Sequence, residues 1–152
     1  MDQYAATNDT RDVTHVLIVE DERMCALIMS EVIRILGFRA TIVKSACEAL
    51  TVLGSSRVDL ITLDIRLAGN MDGWRLAKLI RNSGQEYSNV PIVAVTTHSF
   101  VEDIERSRSL GINRHVTKPF HLKHMMHVIT ELLQARSMDT NGSEARRLFD
   151  EP

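Results

Sequence analysis

An α/β fold built on a parallel sheet covered on both faces is the class the sequence predicts, and three observations predict it. Short β-branched apolar runs alternate with stretches whose apolar residues recur every three or four positions. The runs are continuously apolar rather than alternating, as strands buried on both faces are. Five such strands and five helices fit into about 120 residues, in the order that parallel crossovers require.

The elements follow in sequence. His15–Val19 (HVLIV) reads as the first strand and ends in Glu20-Asp21-Glu22. From Glu22 to Leu36, the residues Met24, Cys25, Ile28, Val32, Ile35 and Leu36 mark one helical face, with Gly37 in the C-cap position. Phe38 to Val43 is the second strand, and Ser45-Ala46-Cys47-Glu48 is a capping box opening a helix to Leu53. Val58 to Asp64 is the third strand, Ala68 to Gly73 a loop, and Trp74 to Asn82 a helix with Leu76, Ala77 and Ile80 facing inward. Pro91 to Thr96 is the fourth strand, its proline tolerated at the first position. Ser99 to Glu102 reads as a second capping box, starting a helix that ends near Leu110-Gly111. Asn113 to Thr117 is a short fifth strand. Leu122, Met125, Met126, Ile129, Leu132 and Leu133 form the inner stripe of a last helix.

Composition narrows the function classes. The chain has 152 residues, 44% hydrophobic and 25% charged, with a net charge of −2. That suits one domain (residues 14–136) between a flexible tail (1–13) and a mostly irregular one (137–152). No apolar run reaches the ~18 residues of a membrane span, and the polar start lacks a signal-peptide core, so a cytoplasmic location is the default expectation. Interspersed charges of both signs give no electrostatic reason to expect nucleic-acid binding. Cys25 and Cys47, among apolar neighbours in helices, read as buried free thiols. His121, His124 and His127 fan around the last helix and read as solvated surface, and Trp74 as partly buried against the loop before it.

In an open α/β sheet, ligands bind beyond the carboxyl ends of the strands. Those ends carry Glu20 and Asp21, Asp64, Thr96 and Lys118. Singly, each has a bland reading: helix cap, turn residue or solvated lysine. Jointly, carboxylates crowded at one rim repel unless a cation joins them, and hard oxygen ligands suit Mg²⁺, with Mn²⁺ as a substitute. A lysine and a hydroxyl beside that metal make a phosphoryl receptor. Asp64, single and central, is the candidate nucleophile for an aspartyl-phosphate.

Five segments in register carry a resemblance: VLIVEDE (16–22), DLITLDIRL (59–67), MDGWRLAKLIR (71–81), PIVAVTTHS (91–99) and VTKPF (116–120). Across about four-fifths of the chain they resemble the CheY-like receiver domain of two-component response regulators, in its single-domain form. The resemblance implies a flavodoxin-like (βα)5 fold with strand order 2-1-3-4-5. It assigns Glu20 and Asp21 to the metal pair, Asp64 to the phosphorylated aspartate, Thr96 to the switch hydroxyl and Lys118 to the phosphate-pairing lysine. It also assigns the main-chain carbonyl of Arg66 to the metal, and implies a cis Lys118–Pro119 bond. His115 falls where relatives carry a switching aromatic residue, and Arg66 and His98 flank the phosphoryl site at positions that modulate its lifetime in relatives. The loop after Asp64 lacks the usual proline and is one residue longer, and Thr97 stands where a smaller residue is common, narrowing access to Asp64.

The function implied is Mg²⁺-dependent acceptance of a phosphoryl group from a histidine kinase or histidine phosphotransfer protein. Output would pass to a protein partner, a like copy or a phosphorelay through the fourth helix, fifth strand and last helix. With so few residues after the last helix, no attached output domain and no turnover of external substrate are expected. The competing readings are a phosphorylation-independent pseudo-receiver and a haloacid-dehalogenase-type phosphatase. The second is disfavoured because the first strand offers Glu20-Asp21 rather than D-x-D.

Overall fold

The computed structural model describes residues 13–149, with side chains as far as Met138. Five strands, β1 (His15–Val19), β2 (Arg39–Val43), β3 (Leu60–Leu63), β4 (Ile92–Thr96) and β5 (Arg114–Thr117), pair in parallel in the order β2-β1-β3-β4-β5. Their helices are α1 (Arg23–Ile35), α2 (Ala46–Ser55), α3 (Gly73–Arg81), α4 (Val101–Ser109) and α5 (Leu122–Phe149), with a 3-10 turn at Glu86–Asn89. This is the parallel α/β sheet that the sequence predicts, in the flavodoxin-like form and strand order that the resemblance implies. Among the described residues no helix is long and apolar enough to cross a membrane.

Successive strand residues point to opposite faces, and the core divides accordingly. Leu17, Val19, Ile61, Leu63, Ile92 and Ala94 pack with α2 and α3. Val16, Ile18, Leu60, Val93 and Val95 pack with α1 and α5. All five residues of β1 and of β4 are buried, whereas β2, an edge strand, is half open. Gly37 ends α1 at φ +79°, the left-handed turn expected of it.

Several expectations are corrected. The buried face of α1 is Ala26, Met29, Val32 and Ile33, while Met24, Ile28 and Ile35 are exposed. The helix is apolar on more than one side, so its periodicity fits two phases. Leu122 is exposed, outside the inner stripe of α5. α4 starts one residue later than expected: Asp103 rather than Glu102 turns back, its carboxylate accepting from the Phe100 amide at 3.2 Å. Ser45 caps α2 through the Glu48 amide, but Glu48 reaches back to the Lys44 amide. Cys47 is exposed and Cys25 half-buried, both free, because Ala46, Ala49 and Leu53 take the inward positions of α2. Trp74 is buried outright, with the Arg106 guanidinium 4.9 Å over its ring. His121, just before α5, and His124 and His127 on it are exposed, as expected.

The last helix also continues to Phe149, where an irregular tail from 137 was expected. Ser, Asp, Thr and Asn each disfavour a helix by only tenths of a kcal/mol and Gly142 by about 1 kcal/mol, and no proline intervenes. An already nucleated helix propagates through such a stretch. The tail expected at 1–13 lies outside the described residues except for Val13.

Candidate functional site

The parallel register brings the ends of β1, β3, β4 and β5 to one rim. Beyond β1 and β3, the Glu20 amide donates to Val43 O (3.0 Å) and the Asp64 amide to Val19 O (2.9 Å), so both carboxylates leave the sheet at the same level. One ligand oxygen from each of Glu20, Asp21 and Asp64 lies within 4.8 Å of the others. The Lys118 ammonium donates to Glu20 Oε2 at 2.6 Å and to Asp64 Oδ2 at 3.1 Å, although 98 and 54 residues separate them in the chain. The Lys118–Pro119 bond is cis.

Backbone amides hold one further oxygen of each carboxylate. Arg66 N donates to Asp64 Oδ1 (3.0 Å), Glu22 N to Glu20 Oε1 (3.1 Å) and Ala68 N to Asp21 Oδ2 (2.9 Å). The last bond ties the loop after β3 back to β1. Thr96 is fully buried at the end of β4.

Three carboxylates against one ammonium leave negative charge in excess. Burial pushes the Glu20 carboxyl from its usual 4.5 up to about 7, with Asp64's charge adding to the shift and the Lys118 bond opposing it. Burial works against the Lys118 ammonium, but the bonds to Glu20 and Asp64 outweigh it, so its pKa is raised above 10.5. The carboxylate set fits a hard divalent cation: it is oxygen-only, convergent, and short of positive charge.

A cleft of about 450 Å³ opens over these groups, lined by Asp21, Glu22, Cys25, Asp64, Arg66, Leu67, Ala68, Thr97 and Lys118. Thr97 is exposed and lines its edge. Burial pushes the Cys25 thiol from 9.0 up to about 11, which keeps it protonated and unreactive near neutral pH.

Every site residue expected from the sequence is thus placed at this rim except His115. Its half-buried ring lies between α4 and the segment after β4: Nε2 is 2.6 Å from His98 O and Nδ1 2.7 Å from Ser107 Oγ. Two contributions escape sequence reasoning. Gly73 begins α3 so close to β3 that an added Cβ would lie 2.6 Å from both Asp64 O and Ile65 Cα. Arg81, at the far end of α3, braces the opposite rim. A glycine between Asp72, which caps α3, and Trp74 is the only trace the first leaves in the sequence.

Comparison with known proteins agrees with this geometry. The family model describing the response regulator receiver domain matches residues 16–130. The sensory transduction protein RegX3 of Mycolicibacterium smegmatis is 33% identical over 133 residues, 88% of this chain and 56% of its own length. Among solved structures, the CheY-like receiver domain protein of Methanospirillum hungatei superposes with a TM-score of 0.76 at 20% identity, over 84% of this chain and 98% of that one. The receiver domain of sensor histidine kinase PA1611 from Pseudomonas aeruginosa superposes with a TM-score of 0.73 at 27% identity, over 80% of this chain and 98% of that one. That structure holds a magnesium ion in its active site cleft. The chain spans from 12% to 58% of the length of the curated relatives it matches.

Proposed function

The chain belongs to the response regulator receiver domain family of two-component systems, and from that premise we propose that Asp64 is its phosphoacceptor. In the reaction a carboxylate oxygen of Asp64 attacks phosphorus, the P–N bond of a phosphohistidine donor breaks, and the electron pair stays on the departing imidazole. Histidine kinases and histidine phosphotransfer proteins present such donors. Glu20, Asp21, Asp64 and the Arg66 main-chain carbonyl would hold Mg²⁺, or Mn²⁺ in its place. When bound, that ion offsets charge on the transferring phosphoryl oxygens. Lys118, already on Asp64 Oδ2, supplies a fixed cation to the same oxygens. Thr96 supplies the hydroxyl that responds to the new charge.

Output would leave through α4, β5 and α5, on which Phe100, Val101 and Ile104 are exposed apolar residues, with His115 behind them as the switching side chain. The chain would turn over no external substrate, would bind no nucleic acid and would work in the cytoplasm.

One observation carries the reading: Lys118 Nζ bonded at 3.1 Å to Asp64, with Glu20 and Asp21 converging on the same aspartate. Incubation with acetyl phosphate and Mg²⁺, followed by intact mass, tests it. One adduct of about 80 Da is expected, absent from Asp64→Ala and from a sample with chelator. An adduct that survives in Asp64→Ala would place the acceptor elsewhere.

A further inference from the structure

The loop between β3 and α3 is anchored in the core at both ends and tied at one point between. Ile65 and Leu67 are buried in the core shared with α2 and α3, and half-buried Met71 packs against it, whereas Ala68, Gly69 and Asn70 are exposed. Among the described residues, positions 67–71 make a single hydrogen bond. It runs from the Ala68 amide to Asp21 Oδ2 at 2.9 Å, across 47 positions of the chain. Directly after it, Gly69 takes φ +101°, a left-handed conformation that favours glycine.

Asp21 is the odd member of the three carboxylates. Lys118 bonds Glu20 and Asp64 but not Asp21. The other charged groups nearby are engaged elsewhere. Arg66 Nε donates to the His98 ring at 3.3 Å, His98 Nδ1 stands 4.0 Å from Asp103 Oδ1, and Glu22 accepts from the Met24 and Cys25 amides. Among the described residues no cation lies within ion-pair distance of Asp21, and the Ala68 amide is its one hydrogen-bond donor. A half-buried aspartate at the edge of the cleft, with no ammonium to hold it, is free to turn about its side-chain bonds. One backbone amide decides which way its oxygens face.

We propose that the Ala68 amide is a positioning group for a divalent cation: it pre-orients Asp21 toward Glu20 and Asp64, so the backbone of the β3–α3 loop helps to set cation affinity. The proposal rests on Asp21 being a metal ligand. A carboxylate oxygen has lone pairs enough for an amide and a metal together, so the tether and coordination coexist. Groups that orient a metal's ligands typically carry ~10- to 100-fold of its affinity. Linkage makes the effect mutual: what the tether adds to cation binding, the cation adds to the tether. The cation therefore tightens the loop that helped to bind it.

Mg²⁺ titrated calorimetrically into the full chain reads the affinity. Ala68→Pro removes the donor and should weaken binding about 10-fold or more. Gly69→Ala keeps the donor, and a Cβ there meets nothing within 4 Å, so it acts through backbone strain alone and should weaken binding severalfold. Amide hydrogen exchange reads the tether itself. The Ala68 amide should exchange slowly in wild type, more slowly with Mg²⁺, and fast in Asp21→Ala. The Gly73 amide, bonded to Ile65 O at 2.8 Å, should keep its protection throughout, which separates loss of the tether from collapse of the loop. Wild-type affinity in Ala68→Pro, or in Gly69→Ala if the proline variant does not fold, overturns the proposal. So does Ala68 exchange that is equal in wild type and Asp21→Ala, or that saturating Mg²⁺ leaves unchanged. A wild type that binds no Mg²⁺ overturns the metal reading itself, whereas Mg²⁺ binding that ignores the loop variants overturns only the positioning role of Ala68.

Discussion

The two rims of the sheet hold clefts of nearly equal size and opposite electrostatic character. At the carboxyl ends of the strands the cleft measures about 450 Å³; at the amino ends, between Leu53–Val58, Glu86, Tyr87 and Arg136, it measures about 460 Å³. Volume does not distinguish them. Satisfaction of charge does. At the amino rim every buried polar group has found a neutral or matched partner. The His15 ring lies 2.7 Å from both Arg57 O and Thr41 Oγ1, and its amide donates to Asp59 Oδ2 at 2.8 Å. Arg81, with no carboxylate, spends its guanidinium on the carbonyls of Ser88, Val90 and Gly111 and on Asn113 Oδ1. Burial lowers its pKa without removing its charge. At the carboxyl rim a single ammonium is divided between two carboxylates, a third stands beside them, and burial pushes Glu20 up to about 7. At one rim charge is matched within the chain; at the other, negative charge stays in excess.

That contrast can be broken from either side. The largest effect is expected at Lys118: Lys118→Ala should slow phosphorylation by acetyl phosphate about 100- to 1,000-fold, read as the initial rate of adduct formation, with the fold retained. At the other rim, Arg81→Ala strands several carbonyls and should lower unfolding free energy by about 2–3 kcal/mol in denaturant titrations, with little change in that rate. If Arg81→Ala cost rate rather than stability, the division between the rims would fail.

The third test is pH. Glu20 has its folded pKa raised from 4.5 to about 7, so between these values the folded chain keeps a proton that the unfolded chain gives up. Stability without metal should therefore be highest below pH 4.5 as far as this group is concerned, fall as pH rises to about 7, and level off above it. Glu20→Gln should flatten that slope. Since Mg²⁺ needs the ionised form, apparent affinity should be roughly tenfold weaker at pH 6 than at pH 8, as calorimetric titration would show. The smallest effect belongs to Arg57→Ala: its ion pair with Asp59 is 3.5 Å long and its side chain 81% exposed, so its loss should shift stability by no more than about 0.5 kcal/mol.

The carboxyl rim was largely legible in the sequence because strand ends can be read from hydrophobic runs. Placing Glu20, Asp21, Asp64, Thr96 and Lys118 at those ends needed only the fold class; the three carboxylates and the ammonium meet there, with Thr96 at the end of β4. What escaped reading depends on directions rather than positions. His98 meets Thr96 Oγ1 through its amide, His115 Nε2 through its carbonyl and Arg66 Nε through its ring, contacts that only the path of the backbone after β4 determines. Arg81 looks like any basic residue in the last turn of a helix until α3, β4 and the turn before β5 are set around it. On α1 the apolar residues admitted two phases, and packing against β1, β2 and α5 selected the one that leaves Met24 and Ile28 outside. The end of α5 was misplaced because composition there is only mildly unfavourable to a helix.

Gly73 bears no reactive atom, yet where α3 crosses the Asp64 carbonyl there is space for hydrogen and nothing larger. In a library of random variants selected for signalling, position 73 should be as bare of survivors as position 64. A geneticist mapping such a screen would mark as chemically essential a residue whose whole contribution is the room it leaves.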